Sequence, residues 1–259
     1  MKWGGYMISE KRYDLILQEL KRKEFLTLQE LIERTGCSAS TIRRDLSKLQ
    51  QLGRLQRVHG GATLNSNRHS EPILSDKLTK NLKEKKAIGK KAAQLIQDHD
   101  CIFMDAGSST IEMIPFIEAQ DIVVVTNGLT HVEKLLAQGI KTLMIGGQVK
   151  ETTFATVGAS ALTTMNRYCF DKAFLGMNGL DLNYGLTTPD EKEALIKEKA
   201  IVQANRSYVL LDHTKLDEVY FAHVPIGDHH VEIITSKQAT THKLFNKYQE
   251  KYQFLGGES

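Results

Sequence analysis

At 259 residues with 41% hydrophobic side chains, the chain is long enough for one large domain or two, and its 34 Lys+Arg against 31 Asp+Glu leave a formal charge of only +3. No run of 18 apolar residues occurs, so no spanning helix is expected, and the N-terminus lacks the ordered basic, apolar and small-residue regions of a signal peptide. The three widely spaced cysteines, Cys37, Cys101 and Cys169, form neither a metal pattern nor a disulfide framework and read as small buried hydrophobes of a reducing, cytoplasmic protein.

The charge is unevenly spread. Residues 7–62 hold 11 Lys+Arg against 7 Asp+Glu, whereas residues 63–259 hold 22 against 24. A basic end on a mildly acidic body suits a DNA-reading head on a sensor body, although a solvated charged surface would give the same count. Ahead of Met7 the peptide Lys-Trp-Gly-Gly-Tyr-Met can be encoded by a stretch resembling a bacterial ribosome-binding site before an ATG. Translation is therefore expected to start at Met7.

Ser9 is placed to cap a first helix whose apolar face is Tyr13, Ile16, Leu17 and Leu20. Thr27-Leu-Gln-Glu30 is a capping box that starts a second helix bearing Leu28, Leu31 and Ile32, and Gly36 ends it. Ser38 is placed to cap a third helix, with Ile42, Leu46 and Leu49 on one face and Ser40, Arg44, Ser47 and Gln51 opposite. Arg43 flanks that polar face, and Gly53 stops the helix. Leu55–Val58 reads as a short basic strand and Gly60-Gly61 as the turn of a hairpin. A basic helix followed by a basic hairpin is the layout of a winged helix-turn-helix, with the helix in the major groove and the wing beside it. Arg43 and Arg44 are candidates for base edges or phosphates, and Lys48, Arg54 and Arg57 for phosphates. His59, Gly60 and Gly61 would position the wing, and Ser38, Ser40, Thr41 and Ser47 complete the candidate DNA surface.

Residues 65–76 are polar with one proline and read as a linker. The resulting division is a head at 7–62, a linker at 63–76 and a body at 77–259 that binds an effector and oligomerises. In the body a basic helix at about 77–97 precedes the strand Cys101–Asp105. A helix follows, then the strand Ile122–Val125, a helix near 129–138, the strand Thr142–Ile145 and a helix near 158–167. The strand Ala173–Gly176, a helix near 189–204 and the strands Tyr208–Leu211 and Val231–Ile234 complete the order. Short apolar strands alternating with helices predict a Rossmann-like, mostly parallel α/β sheet covered on both faces. In such sheets ligands lie beyond the carboxyl ends of the strands.

Those ends carry the candidate chemistry. Gly107 permits close backbone approach, and Ser108, Ser109 and Thr110 open a helix whose free N–H groups and hydroxyls suit a phosphate. Asp105 can accept from sugar hydroxyls, and Lys215, after Asp212, can supply a compact positive charge. Thr126-Asn127 and Gly146-Gly147 close two further strands. Glu193 and Lys197, one helical turn apart, are placed toward the ligand, although acidic residues in that first turn also suit the helix dipole. His229-His230 has no third ligand, so no metal and no other cofactor is expected.

These motifs together resemble the DeoR family of bacterial transcription regulators, from Met7 to about Ser236. In the head the resemblance rests on Glu10–Arg12, Ser38–Leu46 and Arg57–Ala62. In the body it rests on Asp105–Thr110, Val125–Asn127, Ile145–Gly147, Asp171–Gly176 and Leu211–Lys215. The resemblance implies a winged-helix head, a sensor related to ribose-5-phosphate isomerase, a phosphorylated-sugar effector, and homo-oligomers (dimers or tetramers) on repeated operator DNA. Gly146–Thr153, Phe170–Asp181 and Gly185–Glu191 are most similar to repressors of fructose-utilisation operons in Gram-positive bacteria, for which the implied effector is fructose 1-phosphate. Ser108-Ser109 departs from the commoner Gly-Thr-Thr or Gly-Ser-Thr run but keeps the hydroxyls. The reading is a repressor without catalytic residues. An isomerase with a DNA-binding head is the enzyme alternative, with Asp105 or Glu193 as base. A biotin-ligase-type repressor would need a glycine–arginine-rich nucleotide loop that the sequence does not display.

Overall fold

The computed structural model describes residues 9–23, 25–51, 54–58, 60–64, 71 and 73–256, the side chains at 21 and 64 excepted. The expectations for residues 1–6, Gly53, His59 and the linker at 65–70 and 72 lie outside the described residues. Contacts divide the chain into two units, Met1–Arg68 and His69–Ser259.

In the first unit, helix α1 (Ser9–Arg22) buries Ile16, Leu17 and Leu20. Ser9 is its first residue rather than the expected cap. Strand β1 (Phe25–Thr27), which has no sequence signal, leads into α2 (Leu28–Thr35). The capping box forms: Glu30 N donates to Thr27 Oγ1 at 3.2 Å, and Thr27 N donates to Glu30 Oε2 at 2.9 Å. Gly36 ends α2 at φ 69°, donating its N–H to Ile32 O at 2.8 Å. Helix α3 (Ala39–Gln51) is capped by Ser38, whose Oγ accepts from Thr41 N at 3.3 Å. Strands β2 (Leu55–Val58) and β3 (Gly61–Leu64) form the hairpin, and β1 pairs along the other edge of β3. The turn differs from the Gly60-Gly61 expectation. Val58 already pairs with Gly61, so the turn falls before Gly61, with Gly60 at φ 83°. Gly61 belongs to the strand because a Cβ there would lie 2.1 Å from Leu26 O on β1. Leu26, Leu31, Ile42, Leu46, Leu49 and Leu55 join the α1 residues in one core.

The second unit opens with α4 (Leu74–Thr79) and α5 (Leu82–Ala93), not with one helix over 77–97. The break falls at Asn81, in the left-handed region at φ 53°, which asparagine tolerates better than most residues. Strand β3 continues through Leu64 and α4 begins at Leu74, so both ends of the stretch read as linker are in regular structure. The elements then run β4 (Cys101–Met104), β5 (Val123–Thr126), α6 (Leu129–Ala137), β6 (Lys141–Met144), β7 (Gln148–Val149), β8 (Thr156–Val157) and α7 (Ala159–Met165). They continue with β9 (Phe170–Gly176), β10 (Gly179–Asp181), β11 (Gly185–Thr188), α8 (Glu191–Gln203), β12 (Ala204–Leu210) and β13 (Ala222–His223). Strand β14 (Val231–Ile234), α9 (Lys237–Thr240), α10 (Phe245–Gln249) and β15 (Gln253–Leu255) end the described chain. The helix expected after β4 is a 3-10 helix, Ile111–Phe116, in which Pro115 lacks the N–H an α-helix would need. The cysteines are not the buried hydrophobes expected: Cys101 and Cys169 are exposed and Cys37 is half-buried.

Seven strands form one parallel sheet in the order β15-β14-β12-β9-β4-β5-β6. Successive residues alternate between its faces. Ile102, Met104, Val124, Phe174, Tyr208 and Leu210 pack with α5 and the 3-10 helix. Phe103, Val125, Ala173, Leu175 and Val209 pack with α7 and α8. The strand order reverses between β4 and β9, whose connections leave in opposite directions. Their carboxyl ends therefore open a crevice.

Candidate functional site

On the first unit, Ser40, Arg43, Arg44 and Lys48 are exposed along α3, with Thr41 and Ser47 half-buried beside them. Arg54 and Arg57 are exposed on the wing side. Arg57 Nη1 donates to Ser47 Oγ at 2.7 Å, and Arg57 N donates to Gln50 Oε1 at 3.0 Å, so the wing and α3 are registered against each other. Ser47 Oγ in turn donates to Arg43 O at 2.9 Å. Asp45 turns the other way. It is 3% exposed and bonded bidentately to Arg12 of α1, with Nη2 to Oδ1 at 3.0 Å and Nε to Oδ2. This pair fixes the helix that presents the basic face.

On the second unit, the crevice at the β4–β9 switch is closed at its base by charge. Lys197 Nζ of α8 donates to Asp105 Oδ2 and, at 3.0 Å, to Gly176 O. Asp105 Oδ1 accepts from Gly176 N at 2.9 Å. Burial lowers the Lys197 pKa, but Asp105 and Glu193 outweigh it and hold the ammonium above its ordinary value. Gly107 and Gly176 lie back to back, where a Cβ on Gly107 would come within 3.3 Å of Gly176 Cα.

Among the expected effector residues, Gly107, Ser108, Ser109, Glu193, Lys197, Asp212 and Lys215 line this crevice. The others do not. Asp105, only 1% exposed, reaches a small inner recess with Asn127 and is already bonded to Lys197. Thr110 spends its hydroxyl inside the loop, on Asp105 O at 2.8 Å, and lies 3.0 Å from His131 Nε2. Asn127 Oδ1 accepts from Ala106 N at 2.9 Å and Thr126 Oγ1 from Gly128 N at 3.0 Å, both tying loops together. Gly146 and Gly147 are exposed after β6, an edge strand two places from β4, which keeps them out of the crevice.

The sequence reading missed the opposite wall. Lys77, Lys80, Asn81 and Lys85 of the α4–α5 segment line the crevice, so with Lys197 and Lys215 five lysines surround it. Lys85 is 3% exposed and donates to the Lys77 carbonyl. Burial lowers its pKa to about 8, with only partial compensation from Asp212. Asn81 Nδ2 donates to Asp212 Oδ1 at 3.2 Å, joining this wall to the end of β12. The missed signal was the lysine-rich run itself, which helical spacing alone presents as a solvated face. Five lysines against Glu193 and Asp212, beside a serine loop, give the crevice the chemistry to hold an anion.

Glu84, Asp212 and His213 bring ligand atoms within 4.8 Å of one another. Their capacity is spent internally. Glu84 accepts from His213 N at 2.8 Å and Ser236 Oγ at 2.6 Å, and Asp212 accepts from Thr214 N at 3.0 Å. The cluster anchors the 3-10 turn His213–Lys215 to α5. No helix among the described residues is long and apolar enough to cross a membrane.

Residues 12–68 match the DeoR-like helix-turn-helix domain and residues 80–237 the DeoR C-terminal sensor domain. The chain is 44% identical, over 95% of its length and 97% of the relative's, to the uncharacterized HTH-type transcriptional regulator FruR of Bacillus subtilis (strain 168). It is 34% identical to the lactose phosphotransferase system repressor of Lactococcus lactis subsp. lactis, over 93% of this chain and 97% of that one. The solved structure of ribose 5-phosphate isomerase A from Methanocaldococcus jannaschii aligns with 52% of this chain and 55% of its own at 18% identity, with a TM-score of 0.39.

Proposed function

The chain belongs to the DeoR family of transcriptional regulators, and we propose that this protein is a repressor of a fructose-utilisation operon, released from its operator by fructose 1-phosphate. It is a regulator rather than an enzyme, and the isomerase alternative is set aside. The observation that carries the reading is the pairing, on one chain, of an exposed basic α3 face beside a wing with a lysine-walled crevice at the carboxyl ends of a parallel sheet. Helix α3 enters the major groove with Arg43 and Arg44 at base edges, while Lys48, Arg54 and Arg57 hold phosphates. In the crevice Lys77, Lys85, Lys215 and the Gly107–Ser109 loop take the effector's phosphate. Glu193, Lys197 and Asn178, which lines the crevice two residues beyond Gly176, meet its hydroxyls. The choice of fructose rests on Gly146–Thr153, Phe170–Asp181 and Gly185–Glu191, and similarity to a lactose-system repressor supports a sugar operon more generally. The protein acts as a homo-oligomer on repeated sites.

Titration of the full chain onto its own upstream DNA at fixed salt, with and without fructose 1-phosphate, tests this. Release of specific DNA by that sugar phosphate is expected. Specific binding that it leaves untouched discards the effector, and absence of specific binding discards the repressor.

A further inference from the structure

Glu71 lies seven residues beyond Leu64, the end of β3, and its side chain is only 7% exposed. A carboxylate so buried requires compensation. It has three partners: Lys150 Nζ at 2.6 Å, Lys77 Nζ at 3.2 Å and Thr152 Oγ1 at 3.3 Å. Leu74 N donates to Thr152 O at 2.8 Å, so the segment is fastened twice to the loop between β7 and β8. Both lysines lead to the crevice. Lys77 lines it, and Lys150 also reaches Glu193 at 3.1 Å, which lines it too. Burial alone would raise the Glu71 carboxyl, yet Lys77 and Lys150 hold it below its ordinary value. Burial depresses Lys77 despite Glu71 and Glu193, which leaves that ammonium with more to gain from a further anion.

We propose that Glu71 is a latch which the effector opens: its carboxylate is the counter-ion of Lys77 until a phosphate in the crevice takes that lysine, freeing Glu71 and Leu74 from their contacts. This regulation rests on the sugar-phosphate reading of the crevice. A phosphate brings more charge and more acceptor oxygens than a carboxylate, so it competes well for one ammonium. Glu71 then keeps its burial but loses a cation, which makes its present seat costly. The consequence reaches the head through chain length. Seven residues from Leu64 to Glu71 span at most about 25 Å, whereas ten residues to Leu74 span about 36 Å. A longer tether loosens the spacing that paired heads must keep on repeated DNA sites.

The test uses the full chain, with fructose 1-phosphate and inorganic phosphate as probes. In the wild type, saturating fructose 1-phosphate is expected to speed hydrogen exchange at the Leu74 amide by about tenfold or more. Glu71→Gln is expected to bind fructose 1-phosphate about fivefold tighter, because Lys77 no longer has to be won, and to hold operator DNA as weakly without ligand as the wild type does with it. Exchange at Leu74 that does not change on saturation overturns the latch, as does a variant with wild-type ligand affinity. A wild type that calorimetry shows to bind neither anion takes down the effector reading and the latch with it. Binding without the exchange change takes down the latch alone. The exchange measurement needs no variant, so it stands if Glu71→Gln folds poorly.

Discussion

Arg44 and Asp45 are neighbours in one basic helix, yet they face opposite media and should fail in opposite ways. Asp45 is buried against Arg12, so Asp45→Ala removes a bidentate carboxylate from a largely buried guanidinium and is expected to cost the head about 3 kcal/mol. Calorimetry of the full chain should show the head's transition lowered while that of the body stays. Arg44 is exposed, so Arg44→Ala should leave both transitions in place and instead cost about 1–3 kcal/mol of operator affinity with relaxed base preference. An unchanged operator preference would remove Arg44 from the reading surface. Lys85 gives the crevice a pH signature. Its pKa is lowered by burial to about 8 from an ordinary 10.5. Between those values the unfolded chain binds more protons than the folded one, so Lys85 makes stability rise with pH across that window. A phosphate beside Lys85 restores its proton. Effector binding at about pH 8.5 should therefore take up protons, and affinity should fall as pH climbs past about 8. Calorimetry in buffers of different ionisation enthalpy measures that uptake, and Lys85→Met should abolish it. Equal uptake in the variant would place the titrating group elsewhere.

Elements were legible where their signals are local. The Thr27–Glu30 capping box, the Gly36 stop and the Ser38 cap each lie within a few residues, and each is present with its hydrogen bonds. Strand β1 was not legible, because three residues with only Leu26 buried carry no period; β3 draws it into pairing. The sheet's two covered faces could be read from apolar strands. The membership of the crevice could not, because it depends on strand order, which is non-local. Gly146 and Gly147 end a strand as Asp105 does, but theirs is the edge strand. The α4–α5 wall was hidden for a similar reason. Its lysines have helical spacing, and only the reversal at Asn81 carries Lys77 and Lys85 to the same crevice. That reversal can be tested by itself. Asn81→Gly keeps the left-handed conformation without steric cost and loses only the bond to Asp212, whereas Asn81→Ala loses both. The alanine variant should therefore melt with a deficit of about 1 kcal/mol relative to glycine. Equal stability would mean that the α4–α5 break is set by its surroundings rather than by residue 81.

For the whole molecule, charge and ligand act in one thermodynamic cycle. The basic head and the slightly acidic body leave a net charge of only +3, yet DNA meets the head's local charge, so operator affinity should fall steeply with salt. Each phosphate contact contributes a slope of about 0.9 in log affinity against log salt. Removing one with Lys48→Ala should shrink the slope by about that amount and leave base preference alone. The effector enters the same cycle. It can release DNA only by binding the DNA-incompetent arrangement more tightly than the competent one. Linkage then requires operator DNA to weaken effector binding by the same factor by which the effector weakens DNA binding. A release factor of about a hundredfold would correspond to about 2.7 kcal/mol of coupling, and must appear in both directions. Titrating fructose 1-phosphate into the free chain and into its operator complex, at one salt concentration, measures the second direction directly. If the sugar phosphate displaces DNA while its own affinity is the same with and without operator, it acts through some path other than the crevice of the DNA-bound protein. If the two factors agree and both shrink in Lys85→Met, the lysine-walled crevice is the seat of the coupling.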